Sequence, residues 1–288
     1  MSNPVNPGQA AQLPGFRHQA RKRFGQNFLR SSTVIDRIIA AIRPTESDHV
    51  VEIGPGQGAI TGGLLDSGAL VSVIELDRDL IPLLKIEFAT RQNLRIHEAD
   101  ALRFDFASLV AENGGVDAAP AGLRVVGNLP YNISTPLIFK LLEYRTFFAD
   151  MHFMLQREVV ERLAAEPGSK TYGRLSVMTQ HACRVEQLFD VPPTAFVPAP
   201  KVWSAIVRLE PLPRHFTSKE DEALFANVVQ HSFSMRRKTI RNNLKGIATD
   251  SQLEAVGIDP GCRAETLSGG SFVRLAELLI EEKKRTAI

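Results

Sequence analysis

The sequence predicts an α/β fold: an open, mostly parallel sheet with helices on both faces, followed by a small all-α domain. Three observations carry this expectation. From His49 to Leu155, apolar strand-like runs alternate with stretches whose apolar residues recur at helical spacing. The first of these strands runs into a glycine loop, Gly54-Pro-Gly-Gln-Gly58, and an acid, Glu75, ends the next strand about 20 residues on, where α/β nucleotide folds place a ribose-binding carboxylate. Beyond Pro211-Leu-Pro213 the pattern turns wholly helical, which marks a domain boundary. A chain of 288 residues can bury one core and a smaller second domain.

Composition narrows the class. The 44% hydrophobic and 23% charged residues are ordinary for a soluble globular protein. No apolar run approaches the ~20 residues a membrane span needs, and the N-terminus lacks an apolar signal core, so a cytoplasmic protein is expected. Cys183 and Cys262 show no C-x-x-C spacing and the histidines no paired arrangement, so no metal site is expected. The net charge of +2 hides an asymmetry. Met1–Ile35 and Ala223–Thr249 contain no acid, yet carry Arg17, Arg21, Lys22, Arg23 and Arg30 in the first and Arg236, Arg237, Lys238, Arg241 and Lys245 in the second. Such segments suit a polyanion, although a basic run is also how a solvated face reads.

Residues 1–20 are poor in apolar side chains and are expected to be a disordered tail. Arg21–Leu29 interleaves cations, aromatics and amides, which can hold phosphate and cover a ligand. Ser32 or Thr33 is expected to cap a helix carrying Val34, Ile35, Ile38, Ile39 and Ile42, ended by Pro44. Strands follow at His49–Ile53, Leu70–Glu75 and Leu94–Asp100, with a helix at Leu80–Ala89. The glycine pattern alone is weak, but Gly54, Glu75 and Asp100 make three strand ends in succession that bear a glycine or an acid. Asp100 can accept from a base amine or simply cap the turn at Ala101.

The fourth strand end is Val125-Val-Gly-Asn-Leu-Pro-Tyr131. Gly127 and Pro130 put Asn128, Leu129, Pro130 and Tyr131 on a stiff turn past the strand's carboxyl end. Asn128 Oδ1 and the Leu129 carbonyl can accept both N–H bonds of an exocyclic amine while Tyr131 stacks on the base. An ordinary strand-ending turn fits the same tetrapeptide. Helices are expected at Pro136–Tyr144, Gln156–Leu163 (with Glu158 and Arg162 as an i, i+4 pair) and Tyr172–Ala182, and strands at Met151–Leu155, Arg184–Phe189 and Val202–Leu209, the last two as an antiparallel edge. Phe196, in a proline-stiffened loop, either covers the second face of the base or plugs the core. In the helical region Leu224, Phe225, Val228, Val229 and Phe233 form one stripe, and Arg237, Arg241 and Lys245, four apart, suggest a phosphate-contacting ridge on one helix face. The last helix, Phe272–Glu281, turns Phe272, Leu275, Leu278 and Leu279 inward, leaving Lys283, Lys284 and Arg285 in water.

Five ordered motifs, Arg23-Phe-Gly-Gln-Asn-Phe-Leu29, Glu52-Ile-Gly-Pro-Gly-Gln-Gly58, Asn128-Leu-Pro-Tyr-Asn-Ile-Ser-Thr135, Phe196-x-Pro-x-Pro-Lys-Val202 and Arg236-Arg-Lys-Thr-Ile-Arg-Asn242, resemble those of the ribosomal RNA adenine dimethyltransferases. The likeness runs from about Arg21 to the C-terminus. Asn-Leu-Pro-Tyr and Glu265-Thr-Leu-Ser268 favour the bacterial branch that acts on two adjacent adenosines near the 3′ end of 16S ribosomal RNA. The resemblance implies a Rossmann-like class I methyltransferase sheet and S-adenosylmethionine held by Asn27, Leu29, Gly54, Glu75, Asp100 and Asn128, with Gly56, Leu76 and Ala101 beside them. It implies catalysis at Asn128, Leu129, Pro130, Tyr131 and Phe196, and 16S ribosomal RNA of the immature small subunit as partner of a monomeric enzyme, contacted through Arg21, Lys22, Arg23, Arg236, Arg237, Lys238 and Arg241. Gln57 departs from the pattern, which leads one to expect leucine there. A DNA adenine methyltransferase and a non-enzymatic assembly factor are the rival readings; Leu129 in place of a proline and the small helical domain count against the first, the intact Gly54, Glu75, Asp100 and Asn128 against the second.

Overall fold

The structure, a computed structural model, describes residues 26–112 and 122–286; the expected tail and Arg21, Lys22 and Arg23 lie outside the described residues. The chain runs β1 (Phe28–Leu29), α1 (Ser32–Ile42), β2 (His49–Ile53), α2 (Thr61–Asp66), β3 (Leu70–Glu75), α3 (Leu80–Glu87), β4 (Leu94–Glu98), α4 (Phe106–Glu112), β5 (Leu123–Asn128), α5 (Ser134–Glu143), β6 (Phe148–Gln156), α6 (Arg157–Leu163), α7 (Arg174–Ala182), β7 (Cys183–Val191), β8 (Phe196–Val197) and β9 (Ser204–Pro211). The helices α8 (Lys219–Ser232), α9 (Ile240–Asn243), α10 (Asp250–Ala255) and α11 (Gly269–Thr286) follow.

Among the described residues seven strands form one sheet in the order β4-β3-β2-β5-β6-β9-β7. β4, β3, β2, β5 and β6 are parallel, and β9 and β7 are antiparallel. The sheet starts with β2, builds outward to β4, then returns to lay β5 on β2's other side. This reversal opens a crevice at the carboxyl ends of β2 and β5, the place where such sheets bind ligands. All five residues of β2 are buried, His49 and Glu52 among them, because helices cover both faces, so the strand shows no alternation of exposed and buried positions. Val51, Ile53 and Val125 pack into one core, and Val50 and Val126 into the core on the opposite face.

The cap of α1 lies one residue earlier than expected, with Ser31 Oγ accepting from the Val34 N–H at 3.4 Å. Arg43 ends the helix in a left-handed conformation with φ of 51°. Arg124 then ties this helix end to the sheet. Its guanidinium donates to the Ile42 and Arg43 carbonyls at 2.6 and 3.2 Å and pairs with Asp48 and Asp150 at 3.0 and 2.8 Å. On α6 the i, i+4 pair is Arg157–Glu161 at 2.9 Å rather than Glu158–Arg162.

β9 ends at Pro211, and α8 to α11 build a third core around Phe225, Val228, Val229, Phe272 and Leu275 that also takes in Tyr172 and Val177 from the α7 region. The helical region therefore shares its core with the sheet-bearing part instead of closing on itself. On α11, Ala276 and Ile280 are buried, while Leu278 and Leu279 are only partly so, and Lys284 pairs with Asp221 at 3.1 Å instead of facing water alone. Among the described residues no helix is long and apolar enough to cross a membrane.

Candidate active site

The residues around the crevice are organised by close backbone approaches. A Cβ on Gly127 would lie 2.6 Å from the Ile53 carbonyl oxygen, so only glycine lets the end of β5 sit this near the tip of β2. Past Gly127 the turn is held at two further points. The Leu129 N–H donates to the Met154 carbonyl at 3.2 Å, and Asn128 Nδ2 donates to the Asn27 carbonyl at 3.1 Å. A carbonyl can only accept, so Asn27 fixes which way the Asn128 amide faces and leaves Oδ1 to accept from a ligand. The Leu129 carbonyl takes no hydrogen bond from the described residues, while the Leu129 side chain is buried. Two acceptors at this turn thus have no donor among the described residues. Tyr131, half-buried, is held by a 2.7 Å hydrogen bond between its hydroxyl and Ser204 Oγ, and burial pushes its pKa up.

Opposite the turn lies the glycine loop. Gly54, Gly56 and Gly58 have φ of 66°, 60° and 78°, the left-handed region in which side chains are strained. The loop's amides turn toward acids: the Gly56 N–H donates to Glu75 Oε2 at 3.2 Å, and Glu75 Oε1 accepts from the Asp77 N–H at 2.8 Å. Glu75 is buried, and desolvation raises its pKa against the opposing pull of these amides. Leu76 beside it leaves a large apolar side chain 49% exposed. Asp100 sits just past β4 and accepts the Leu102 N–H with Oδ1 at 2.9 Å, the turn-capping role; its Oδ2 takes no hydrogen bond from the described residues. Ala101 beside it is buried.

A strap crosses over both halves. Phe28 and Leu29 in β1 pair antiparallel with Val197 and Phe196 in β8, and the Arg30 N–H donates to Ala195 at 2.8 Å. Gln26 Nε2 donates to Asp77 Oδ2 at 2.9 Å, and the Phe28 ring lies 3.2 Å from where a Gly56 Cβ would stand. Gln57 of the loop accepts a hydrogen bond from Arg30 and so joins the loop to the strap. The strap brings the Asn27 carbonyl to the turn, while Leu29 is buried in the core with Phe196.

Two expectations are corrected. Phe196 is 2% exposed and packs in the core with Leu29, Ile206 and Val191, so it is a plug and has no face to offer a base. The basic ridge does not form, because α9 spans only Ile240–Asn243; Arg237 lies in the turn before it and Lys245 in the turn after it. Arg241 pairs with Asp250 and Arg236 with Glu265, at 2.9 and 3.1 Å. Arg237, Lys238 and Lys245 are exposed and make no ion pair among the described residues.

Sequence reasoning missed Gln26, Asp77, Ser204 and Glu52. The first three act through partners distant in sequence and have no local signature. Glu52 was legible as an acid placed directly before the glycine loop. It is buried, accepts from Thr61 Oγ1 at 2.6 Å, and has its pKa raised to about 7, first by burial and secondarily by the charge of Glu75, with the Thr61 hydrogen bond opposing. Acids thus stand along three neighbouring strands, Glu52 in β2, Glu75 and Asp77 at the end of β3 and Asp100 just past β4, with exposed Leu76 between Glu75 and Asp77. These acceptors and the apolar Leu76 suit a ligand that carries hydroxyls, a positive charge and a flat ring.

A raised folded-state pKa means that the stability Glu52 contributes is complete below its ordinary value of about 4.5 and is lost as pH rises through about 7. Glu52→Gln, which cannot ionise, should gain on the unliganded wild type between pH 5 and pH 8 by up to about 3 kcal/mol. Chemical denaturation at several pH values measures the gap. A difference independent of pH would mean that Glu52 is not held neutral.

The sequence profile of the family described as "Ribosomal RNA adenine dimethylase" matches residues 17–281. The chain is 59% identical over 264 residues to the ribosomal RNA small subunit methyltransferase A of Chromohalobacter salexigens, covering 92% of this chain and 93% of the relative. It is 56% identical over 266 residues to the protein of that name from Pseudomonas aeruginosa, covering 92% and 97%. Among solved structures it is similar to a dimethyladenosine transferase from Plasmodium falciparum, with TM-score 0.74, 29% identity and coverage of 90% and 98% of the two chains. It is also similar to the 23S rRNA methyltransferase ErmE, with TM-score 0.67, 25% identity and coverage of 88% and 100%. Matched across nearly its whole described length, this chain belongs to the ribosomal RNA adenine dimethylase family.

Proposed function

We propose that the protein transfers methyl groups from S-adenosylmethionine to N6 of two adjacent adenosines near the 3′ end of 16S ribosomal RNA, acting on the immature small ribosomal subunit in the cytoplasm. The observation that carries this reading is the pair of acceptors, Asn128 Oδ1 and the Leu129 carbonyl, that take no hydrogen bond from the described residues at the carboxyl end of β5, the strand beside the one that runs into the glycine loop. In this reading Glu75 holds ribose hydroxyls, Leu76 and Ala101 line the adenine, Asp100 Oδ2 accepts the cofactor's amine, and Gly54, Gly56, Asn27 and Leu29 shape the space around the reactive end. S-adenosylmethionine supplies a methyl group on a positively charged sulfur, and the buried acids favour that charge.

The protein's own part is alignment. An adenine N6 is a weak nucleophile because its lone pair is delocalised into the ring. Accepting both of its N–H bonds at Asn128 and Leu129 favours a pyramidal nitrogen whose lone pair points at the methyl, and Tyr131 supports the ring by stacking. The leaving group starts cationic and departs neutral, so no strong base is required and the proton leaves after transfer. Near-attack positioning of this kind contributes several kcal/mol. The monomethyl product still has one N–H to donate, which permits a second round in the same pocket. The adenosine has to leave its stack to enter.

Asn128→Ala should lower methyl transfer at least about a hundredfold while leaving RNA binding within a few-fold, because it removes an acceptor of the reacting amine and not a phosphate contact. A tritium-transfer assay beside a filter-binding assay checks both; near-normal turnover would remove Asn128 from the chemistry. The turn before α9 supplies the free cations Arg237 and Lys238. Arg237→Glu with Lys238→Glu should make the dependence of binding on salt shallower by roughly 1 to 2 units of log K per log salt. An unchanged slope would take this turn out of the RNA interface.

A further inference from the structure

Trp203 is the chain's single tryptophan, and 49% of it is exposed. An indole buries a large apolar area when it finds a partner, so leaving it in water at a fixed position calls for one. Its position is fixed: the Trp203 carbonyl accepts from the Arg157 N–H at 2.9 Å, and the next residue, Ser204, is the one that holds the Tyr131 hydroxyl. β9 starts at Ser204, which pairs with Gln156 at the end of β6, so Trp203 lies at the same sheet edge as the turn that carries Asn128. Exposed Val202 shares its loop and exposed Val197 ends the strand before it, and Lys201, two residues away, is exposed and makes no ion pair among the described residues. An aromatic platform with an unneutralised cation beside it is the combination that holds single-stranded nucleic acid, where bases stack and phosphates meet cations.

We propose that Trp203 is a positioning residue that stacks on the base of a nucleotide flanking the target adenosine, with Lys201 on the adjoining phosphate. The inference rests on the reading of the protein as an RNA adenine methyltransferase. Asn128, Leu129 and Tyr131 engage the reacting base, whereas Trp203 holds its neighbour and so keeps the strand splayed. Its effect falls on binding of the substrate and not on the chemical step.

With one tryptophan, emission excited at its red edge reports on this position alone. The full-length protein is titrated with single-stranded oligoadenylate, and steady-state methyl transfer to small ribosomal subunits lacking the modification is measured for the wild type, Trp203→Ala and Trp203→Phe. Emission should be quenched as oligoadenylate binds. Trp203→Ala should raise KM about tenfold with kcat within about twofold, and Trp203→Phe should restore most of the loss, as expected for base stacking on an aromatic ring. Unquenched emission with an unchanged KM in Trp203→Ala, while the wild type transfers methyl, overturns the inference alone. No transfer by the wild type overturns the reading beneath it. Quenching that follows protein concentration and ignores RNA assigns the face to a second copy of the chain and also overturns it.

Discussion

Three backbone carbonyls set the character of the site. Ile53 lies against Gly127 where no side chain fits, Met154 takes the Leu129 N–H, and Asn27 takes the Asn128 amide. Met154 and Asn27 each take up one N–H of the turn, while Asn128 Oδ1 and the Leu129 carbonyl accept no hydrogen bond from the described residues. A surface of acceptors selects a ligand with two protons on one nitrogen and leaves an alcohol or a tertiary amine poorly paired. In the proposed reading, selectivity for an exocyclic amine follows from how three strands and a strap are packed. Preorganisation follows from the same contacts, since the turn is held from both neighbouring strands and from the chain that crosses above it.

Charge completes the arrangement. Burial raises the pKa of Glu52 and Glu75, and loop and strand-end amides oppose it at Glu75. A cationic ligand entering this crevice would relieve the carboxylates of part of their desolvation cost, so the acids that destabilise the empty site at high pH favour its occupation. Far from the crevice, Arg124 solves a different problem by covering the carbonyl end of α1 while neutralising Asp48 and Asp150. The two clusters lie at opposite ends of β5, with Arg124 near its start and Asn128 at its end.

Much of this was legible in the sequence because it depends on local pattern. Periodicity located the central strands within a few residues, and glycines with acids at successive strand ends marked Gly54, Glu75, Asp100 and Asn128 as neighbours. What escaped depends on distant partners. The pairing of Phe28–Leu29 with Phe196–Val197 has no signature in either segment, and without it Phe196 reads equally well as a clamp or a plug. The spacing of Arg237, Arg241 and Lys245 implies a shared face only if the helix runs through all three, and α9 ends at Asn243. Nor could the pattern show that the helical region borrows Tyr172 and Val177 for its core.

The central claim is that one adenine amine is gripped by two acceptors on the turn after β5. A crystal structure of the protein with a non-reactive analogue of S-adenosylmethionine and an adenosine-bearing RNA fragment tests it most directly. The account predicts N6 within about 3 Å of both Asn128 Oδ1 and the Leu129 carbonyl, with the ring against Tyr131. An N6 held by other groups, or an Asn128 amide turned so that its nitrogen faces the base, would contradict it.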